Sequence, residues 1–303
     1  MELHLAPGSR SQEPLPDFGP IDTLLRRATI CFVVTWENFD MSMGRRLFMT
    51  GMVLSAVLLG VADRQVAAAD TGSVVPLPAA VRAQLDKYLG AGVVGDPVPS
   101  GPLMAIDAYL PPKGTVMAYR VLEQGEKARA ETHKVEETTD PKFKPGWRYV
   151  ADPQGAFYIQ PSSDGGAVIA GEEDRDHEVL SRFTPGEPLI ILGLKPGESR
   201  QVTVKVQVAN LSKPDKITHK GALTITYTHI GAYKVKVPAG IFDAELIRWD
   251  YQGEVGPANV KQTDFRLIAP HAGMVAMIQS KDISAMLIYN DQTKLGKLLQ
   301  SSK

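Results

Sequence analysis

The residues with the most capacity for chemistry crowd into Glu172-Glu173-Asp174-Arg175-Asp176-His177-Glu178. Five carboxylates in seven positions offer the hard oxygen ligands that calcium takes. Asp174, Asp176 and Glu178 would share one face if the run were a strand. The spacing and central glycine of a dedicated calcium loop are missing, so the run reads first as a solvated hairpin tip and second as a metal site. Beyond residue 69 the histidines are His133, His177, His219, His229 and His271, with no His-x-His or His-x-x-x-His pair among them. Gly193-Leu194-Lys195-Pro196-Gly197 has lysine where a nucleophile elbow needs serine, and there is no glycine-rich phosphate or dinucleotide loop. No catalytic set and no cofactor are therefore expected. The enzymatic alternative is a secreted hydrolase using Asp174, His177 or His229 with nearby carboxylates.

A second group of polar and aromatic side chains suits binding better than catalysis. His229 continues the parity of Leu223, Ile225 and Tyr227, which puts it at the end of an apolar face. In the segment Phe242–Tyr251, Asp243, Glu245, Ile247, Trp249 and Tyr251 fall on one side and Ala244, Leu246, Arg248 and Asp250 on the other. Neither side is wholly apolar, as expected for a rim or an internal polar pocket. Tyr227, His229, Tyr233 and Trp249 are the candidate ligand-binding residues, because large rings with a polar handle suit an amphipathic ligand.

These side chains need a sheet to hold them. From Thr115 onward the hydrophobic period is two. Val202, Val204, Val206 and Val208 oppose Thr203, Lys205 and Gln207, and Leu223, Ile225 and Tyr227 oppose Thr224, Thr226 and Thr228. Such alternation marks antiparallel strands with one dry face. Further strands are expected at Val116–Leu122, Trp147–Val150, Ala156–Gln160, Ala167–Ala170, Phe242–Tyr251, Thr263–Ile268, Met274–Gln279 and Ser284–Tyr289. A helical turn or two is expected at Thr293–Leu299. Pro78–Leu89 predicts one short helix with Val81, Leu85 and Leu89 on its apolar stripe. The fold class that results is mainly β: a curved antiparallel sheet or partly closed barrel with a short N-terminal covering helix, the alternative being a β-sandwich.

Ahead of that domain, residues 43–69 have the layout of an export signal. Arg45 and Arg46 precede an apolar run from Leu47 to Ala62, and Ala67-Ala68-Ala69 supplies small residues for cleavage before Asp70. The run is short of the roughly 20 residues of a comfortable membrane span. Gly44-Arg45-Arg46-Leu47-Phe48-Met49 also matches part of a twin-arginine motif. Residues 1–42, which hold the only cysteine, Cys31, read as a disordered or mis-annotated upstream extension, and 70–303 as a single β-rich periplasmic domain. The latter has equal numbers of acidic and basic side chains, so nothing draws it to nucleic acid. Without cysteine it needs no oxidant, and a periplasmic location with no stable membrane span after cleavage is expected.

The stretch Tyr233-Lys-Val-Lys-Val-Pro-Ala-Gly-Ile-Phe-Asp-Ala-Glu-Leu-Ile247, with Phe265-Arg-Leu-Ile-Ala-Pro-His-Ala-Gly-Met-Val275 after it, resembles a pattern in uncharacterised bacterial periplasmic β-rich proteins. The resemblance implies a shape like the half-open barrels that carry lipid or lipoprotein in the envelope, and it transfers no catalytic residue. The function expected on these grounds is non-enzymatic binding of an apolar or amphipathic ligand, a lipid included, or envelope maintenance. A protein-interaction scaffold, docking an envelope protein through Lys205, Lys234 and Lys236, is the further alternative.

Overall fold

Period-two patterning closes on itself in this chain. The computed structural model describes residues 72–285 and 289–303; the export-signal segment and the extension before it lie outside them. After the helix α1 (Ala79–Leu89) and a short strand β1 (Val94–Val98) come β2 (Val116–Glu123), β3 (Arg129–Glu137), β4 (Trp147–Asp152), β5 (Gly155–Pro161) and β6 (Ala167–Asp174). Then follow β7 (Val179–Ile190), β8 (Ser199–Asn210), β9 (Lys213–Val237), β10 (Gly240–Val255), β11 (Ala258–Ala269), β12 (Gly273–Ala285) and β13 (Tyr289–Ser302). Each strand from β2 onward pairs antiparallel with the next, and β13 pairs back onto β2 through Leu295↔Glu123 to Ser302↔Met117. The result is an up-and-down barrel of twelve strands with one extra strand outside the ring. The ring is fully closed, beyond the partly closed sheet expected, and a sandwich of two sheets is ruled out.

Alternation decides which side chains enter the barrel. On β8, Val204, Val206 and Val208 are buried while Thr203, Lys205 and Gln207 are exposed. Leu223, Ile225 and Tyr227 on β9 extend the same apolar lining. The outward positions of these strands present no apolar band of the kind an outer-membrane barrel turns to lipid. No described helix is long and apolar enough to cross a membrane.

A bulge redirects the end of β9. His229 faces Ile247 of β10 and Gly231 faces Leu246, leaving Ile230 as the extra residue. A bulge shifts parity by one, so Tyr227 points into the barrel and Tyr233 points out. Gly231 accommodates this with φ of 148°. The outward Tyr233, Val235 and Val237 then share one apolar cluster with Val94 of β1, which pairs along the edge of β9, and with Val81, Leu85 and Leu89 of α1. The helix buries Val81, Leu85 and Leu89 and also rests on β12 and β13. Its approach requires Gly296, where a Cβ would stand 2.4 Å from the Tyr88 carbonyl oxygen.

Two expected elements are corrected. Thr293–Leu299 is not helical but the centre of β13, with Thr293, Leu295 and Lys297 opposite Lys281, Gln279 and Met277 of β12. The spacing of Leu295, Leu298 and Leu299 imitates a helix because both faces of this strand are buried, one by the barrel lumen and the other by α1. Met274–Gln279 and Ser284–Tyr289 are not separate strands either: β12 runs unbroken to Ala285, and Tyr289 opens β13.

Candidate functional site

Twelve strands make too wide a barrel to be filled by small side chains alone, and this lumen is filled unevenly. One part is apolar, built from Ile225, Tyr227, Trp249 and their neighbours. Residues 101–112 fold across an end of the barrel, tied down by Leu103 N–H to the Leu194 carbonyl (2.9 Å) and Gly193 N–H to the Leu103 carbonyl (2.9 Å), and they insert Ile106 and Tyr109. Between this cover and the sheet lies a cavity of about 120 Å³. Its wall is mostly apolar, with Leu110, Phe157, Ile169, Ile190 and Ile268 among the contributors. Its polar lining includes Tyr109, His133, Tyr149, Gln154, Glu172, Glu173, Asp174, Arg266, Gln279 and Lys297. The wall includes no serine, threonine or cysteine, and hence no hydroxyl or thiol nucleophile of those types.

On the β2–β4 and β13 side the charges are matched. Glu131 accepts from Lys297 Nζ at 2.5 Å, from His133 Nε2 at 2.9 Å, and from Arg129. His133 Nδ1 accepts from the Tyr149 hydroxyl at 2.9 Å, and Tyr119 lies against the imidazole ring at 4.3 Å. Burial favours the protonated acid, but the His133 hydrogen bond and the Lys297 and Arg129 charges outweigh it and hold Glu131 far below the usual carboxylate range. Burial pulls His133 below its ordinary value in spite of the Glu131 hydrogen bond. A neutral imidazole fits the geometry, donating at Nε2 and accepting at Nδ1. Burial lowers Lys297 as well, against the opposing pull of Glu131.

Across the lumen, acids outnumber their partners. Arg266 pairs with Asp264 at 3.1 Å and stacks over the Trp249 ring at 4.5 Å. Gln262 Nε2 donates to Asp264 at 2.9 Å, and the Tyr251 hydroxyl donates to Glu187 at 2.5 Å. Burial lifts Glu187 to about 7 despite Arg266 and Tyr251, and it raises Asp264 despite the Arg266 pair. Glu172 is raised well above the ordinary carboxylate range, first by burial and then by the charges of Glu187 and Asp174. It is 3% exposed, lines the cavity, and has no hydrogen-bond or ion-pair partner among the described residues. Gln279, also 3% exposed, leaves its Oε1 without a partner, and Gln154 Oε1 is likewise buried and unpartnered.

The acidic run at 172–178 is not a solvated tip throughout. Glu172 and Asp174 belong to β6 and turn inward, while Asp176 and Glu178 sit exposed in the turn to β7. Asp174 Oδ2 receives His177 Nδ1 at 2.9 Å, and that hydrogen bond raises the imidazole pKa against partial burial. Asp174 and His177 are therefore partners, not opposed as strict alternation would have them, because the strand ends at Asp174. Among the described residues, no group of three or more His, Cys, Asp or Glu is arranged to hold a metal ion; Asp174, Asp176 and Glu178 are not gathered as ligands.

The four aromatic and histidine candidates stay out of the cavity wall. Trp249 Nε1 donates to the Pro188 carbonyl at 2.8 Å, and the Tyr227 hydroxyl donates to the Leu189 carbonyl at 3.1 Å. Their rings meet edge to face at 5.0 Å. Both pack the apolar part of the lumen, and Trp249 reaches the polar part only through Arg266. Tyr233 packs with the α1 residues in the apolar cluster outside the ring.

His229 is fully buried near an end of the barrel. Its Nε2 meets Glu245 at 2.8 Å and Ser100 Oγ at 3.3 Å, and its Nδ1 meets the Leu194 carbonyl at 3.0 Å. A serine triad needs the hydroxyl on one ring nitrogen and the acid on the other. Here both crowd one nitrogen, and Ser100 donates to Glu245 (2.7 Å) rather than to the ring. This is a packing motif that ties residue 100 to the barrel.

Glu131, His133, Arg266, Gln279 and Lys297 are functional candidates that patterning alone passes over. Their signal is polar residues on the inward parity, as in Val260-x-Gln262-x-Asp264-x-Arg266-x-Ile268, where apolar side chains bracket three polar ones. No family model matches this chain, and no curated protein does. Among solved structures, a candidate lipoprotein from Parabacteroides distasonis is similar over 66% of this chain and 99% of its own, at 13% identity and a TM-score of 0.35. A candidate exported protein with a YmcC-like fold from Bacteroides fragilis is similar over 67% of this chain and 99% of its own, at 12% identity and a TM-score of 0.36.

Proposed function

We propose that this protein is an exported, periplasmic binding barrel that takes a small amphipathic molecule into its lumen. The observation that supports this most directly is a cavity of about 120 Å³ with a largely apolar wall and a few converging polar groups, the usual composition of a ligand site. Export rests on the layout of residues 43–69. The volume refines the ligand expected from sequence. An apolar protein cavity of about 150 Å³ holds benzene, so this space suits a ring-sized body and not a whole lipid. Catalysis fits the cavity poorly, since its wall brings no serine, threonine or cysteine to the histidine–carboxylate pairs.

Native mass spectrometry of protein purified from its own cell envelope tests the proposal. The expected result is a non-covalent adduct well below phospholipid mass, lost when Ile169→Trp fills the cavity. Repeated recovery of adduct-free protein, with no ring-sized compound raising its melting temperature, would overturn it.

A further inference from the structure

We infer that the ligand of this cavity carries a hydrogen-bond-donating cationic head, a primary amine on a ring-sized apolar body, and that Glu172 receives it. The inference rests on the binding role proposed above and goes on to assign the ligand's charge.

The cavity is lined by groups of both signs, but they are not equally available. Lys297 is engaged by Glu131, and Arg266 by Asp264. An anionic ligand would have to compete with those carboxylates. The groups left over are two buried amide oxygens, Gln279 Oε1 and Gln154 Oε1, and the Glu172 carboxyl, which lines the cavity. Buried polar atoms are normally satisfied, and an unsatisfied one costs about 1–3 kcal/mol. Two idle amide oxygens beside a carboxyl on one cavity favour a ligand that brings donors. An ammonium has three donors and no acceptor, and a charge-assisted bond to a carboxylate is the strongest available to it. No metal cluster competes for the assignment among the described residues.

The surroundings of Glu172 favour a cation of this size. Glu187 of β7 and Asp174 of its own strand face it with negative charge, while Arg266 of β11 and Lys281 of β12 face it with positive charge. In the empty site burial and the charges of Glu187 and Asp174 push Glu172 toward the neutral acid. When R–NH₃⁺ enters, the acid gives its proton to solvent and the carboxylate pairs with the ammonium. No covalent bond of the ligand is made or broken, and the proton that Glu172 holds is released on binding.

Titration calorimetry on the full-length chain at pH 7.5 separates the possibilities with four probes of similar size: benzylamine, benzyl alcohol, toluene and benzoate. Benzylamine is expected to bind at least about tenfold tighter than toluene, a difference of about 1.4 kcal/mol. Its apparent heat should differ between two buffers of unlike ionisation enthalpy, reporting the released proton. Glu172→Gln should remove that advantage over toluene, measured on the same variant, together with the buffer dependence. Gln279→Met should weaken benzylamine less and keep the proton release. If toluene binds but the amine gains nothing, or benzoate binds best, the cationic head is wrong and the cavity reading stands. If none of the four binds, the cavity reading itself falls. The wild-type ranking needs no variant to fold.

Discussion

Two polar regions face each other across one lumen, and they are built on opposite rules. Around Glu131 the carboxylate is fully partnered: Lys297, Arg129 and the neutral His133 imidazole converge on it, and it stays ionised although buried. Around Glu172 and Glu187 the acids exceed the bases, and burial drives them toward the neutral form. The same residue type, buried to the same degree, is thus structural in one place and uncommitted in the other. Removing one partner of a buried pair is costly because it strands the other, whereas removing an unpaired buried acid strands nothing. Mutations of the two acids should therefore act with opposite sign.

The largest effect expected is at the matched pole. Lys297→Met leaves Glu131 short of its strongest partner and should cost about 3–5 kcal/mol, read as a lower urea midpoint at unchanged slope. A loss below about 1 kcal/mol would mean that Arg129 and His133 suffice, and the contrast would be weaker than drawn. Arg266→Met should cost about 3 kcal/mol at pH 8, since Asp264 and Glu187 lose their shared cation. Much of that loss should return as pH falls toward 5, because burial raises both acids toward the neutral form. Loss of equal size at both pH values would assign the residue's role to packing on Trp249 instead.

Next comes pH dependence of the native protein. Glu187 titrates near 7 when folded and near 4.3 when unfolded. Between those values the folded state holds more protons, so stability falls as pH rises through that window. The span is on the order of 3 kcal/mol, and Glu187→Gln should flatten the melting temperature between pH 5 and 8. A wild-type profile already flat there would refute this. The smallest effect sharpens the comparison most: Glu172→Gln should stabilise the ligand-free protein by about 1 kcal/mol at pH 8, against the destabilisation expected from Glu131→Gln. Thermal melts of the two variants side by side would show whether the signs differ.

Much of the architecture was readable from residues alone. The Val202–Val208 alternation gave β8 its inward face, and the Val81-Leu85-Leu89 stripe located α1 to within a residue. What escaped has physical reasons. A strand buried on both faces loses its period, which is why Thr293–Leu299 passed for a helix. The bulge at Ile230 moves Tyr233 to the other side of the sheet, and a parity argument carried from Tyr227 through that point cannot detect the shift. The site was the least legible part. Gln262, Asp264, Arg266, Gln279 and Lys297 look like solvent-facing residues until a closed ring places their side of the sheet indoors. The closure depends on β13 meeting β2, a contact between distant parts of the sequence that no local pattern announces.

That seam has a consequence for how the protein matures. Every other junction in the ring is a hairpin between neighbours in sequence and can form as soon as its two strands are free. The seam joins the first barrel strand to the last, and it is there that Lys297 reaches Glu131. A chain threaded through a membrane would carry Glu131 across with Arg129 and His133 beside it, while its lysine still waited on the other side. The lumen is therefore enclosed only once the last barrel strand has docked on the first.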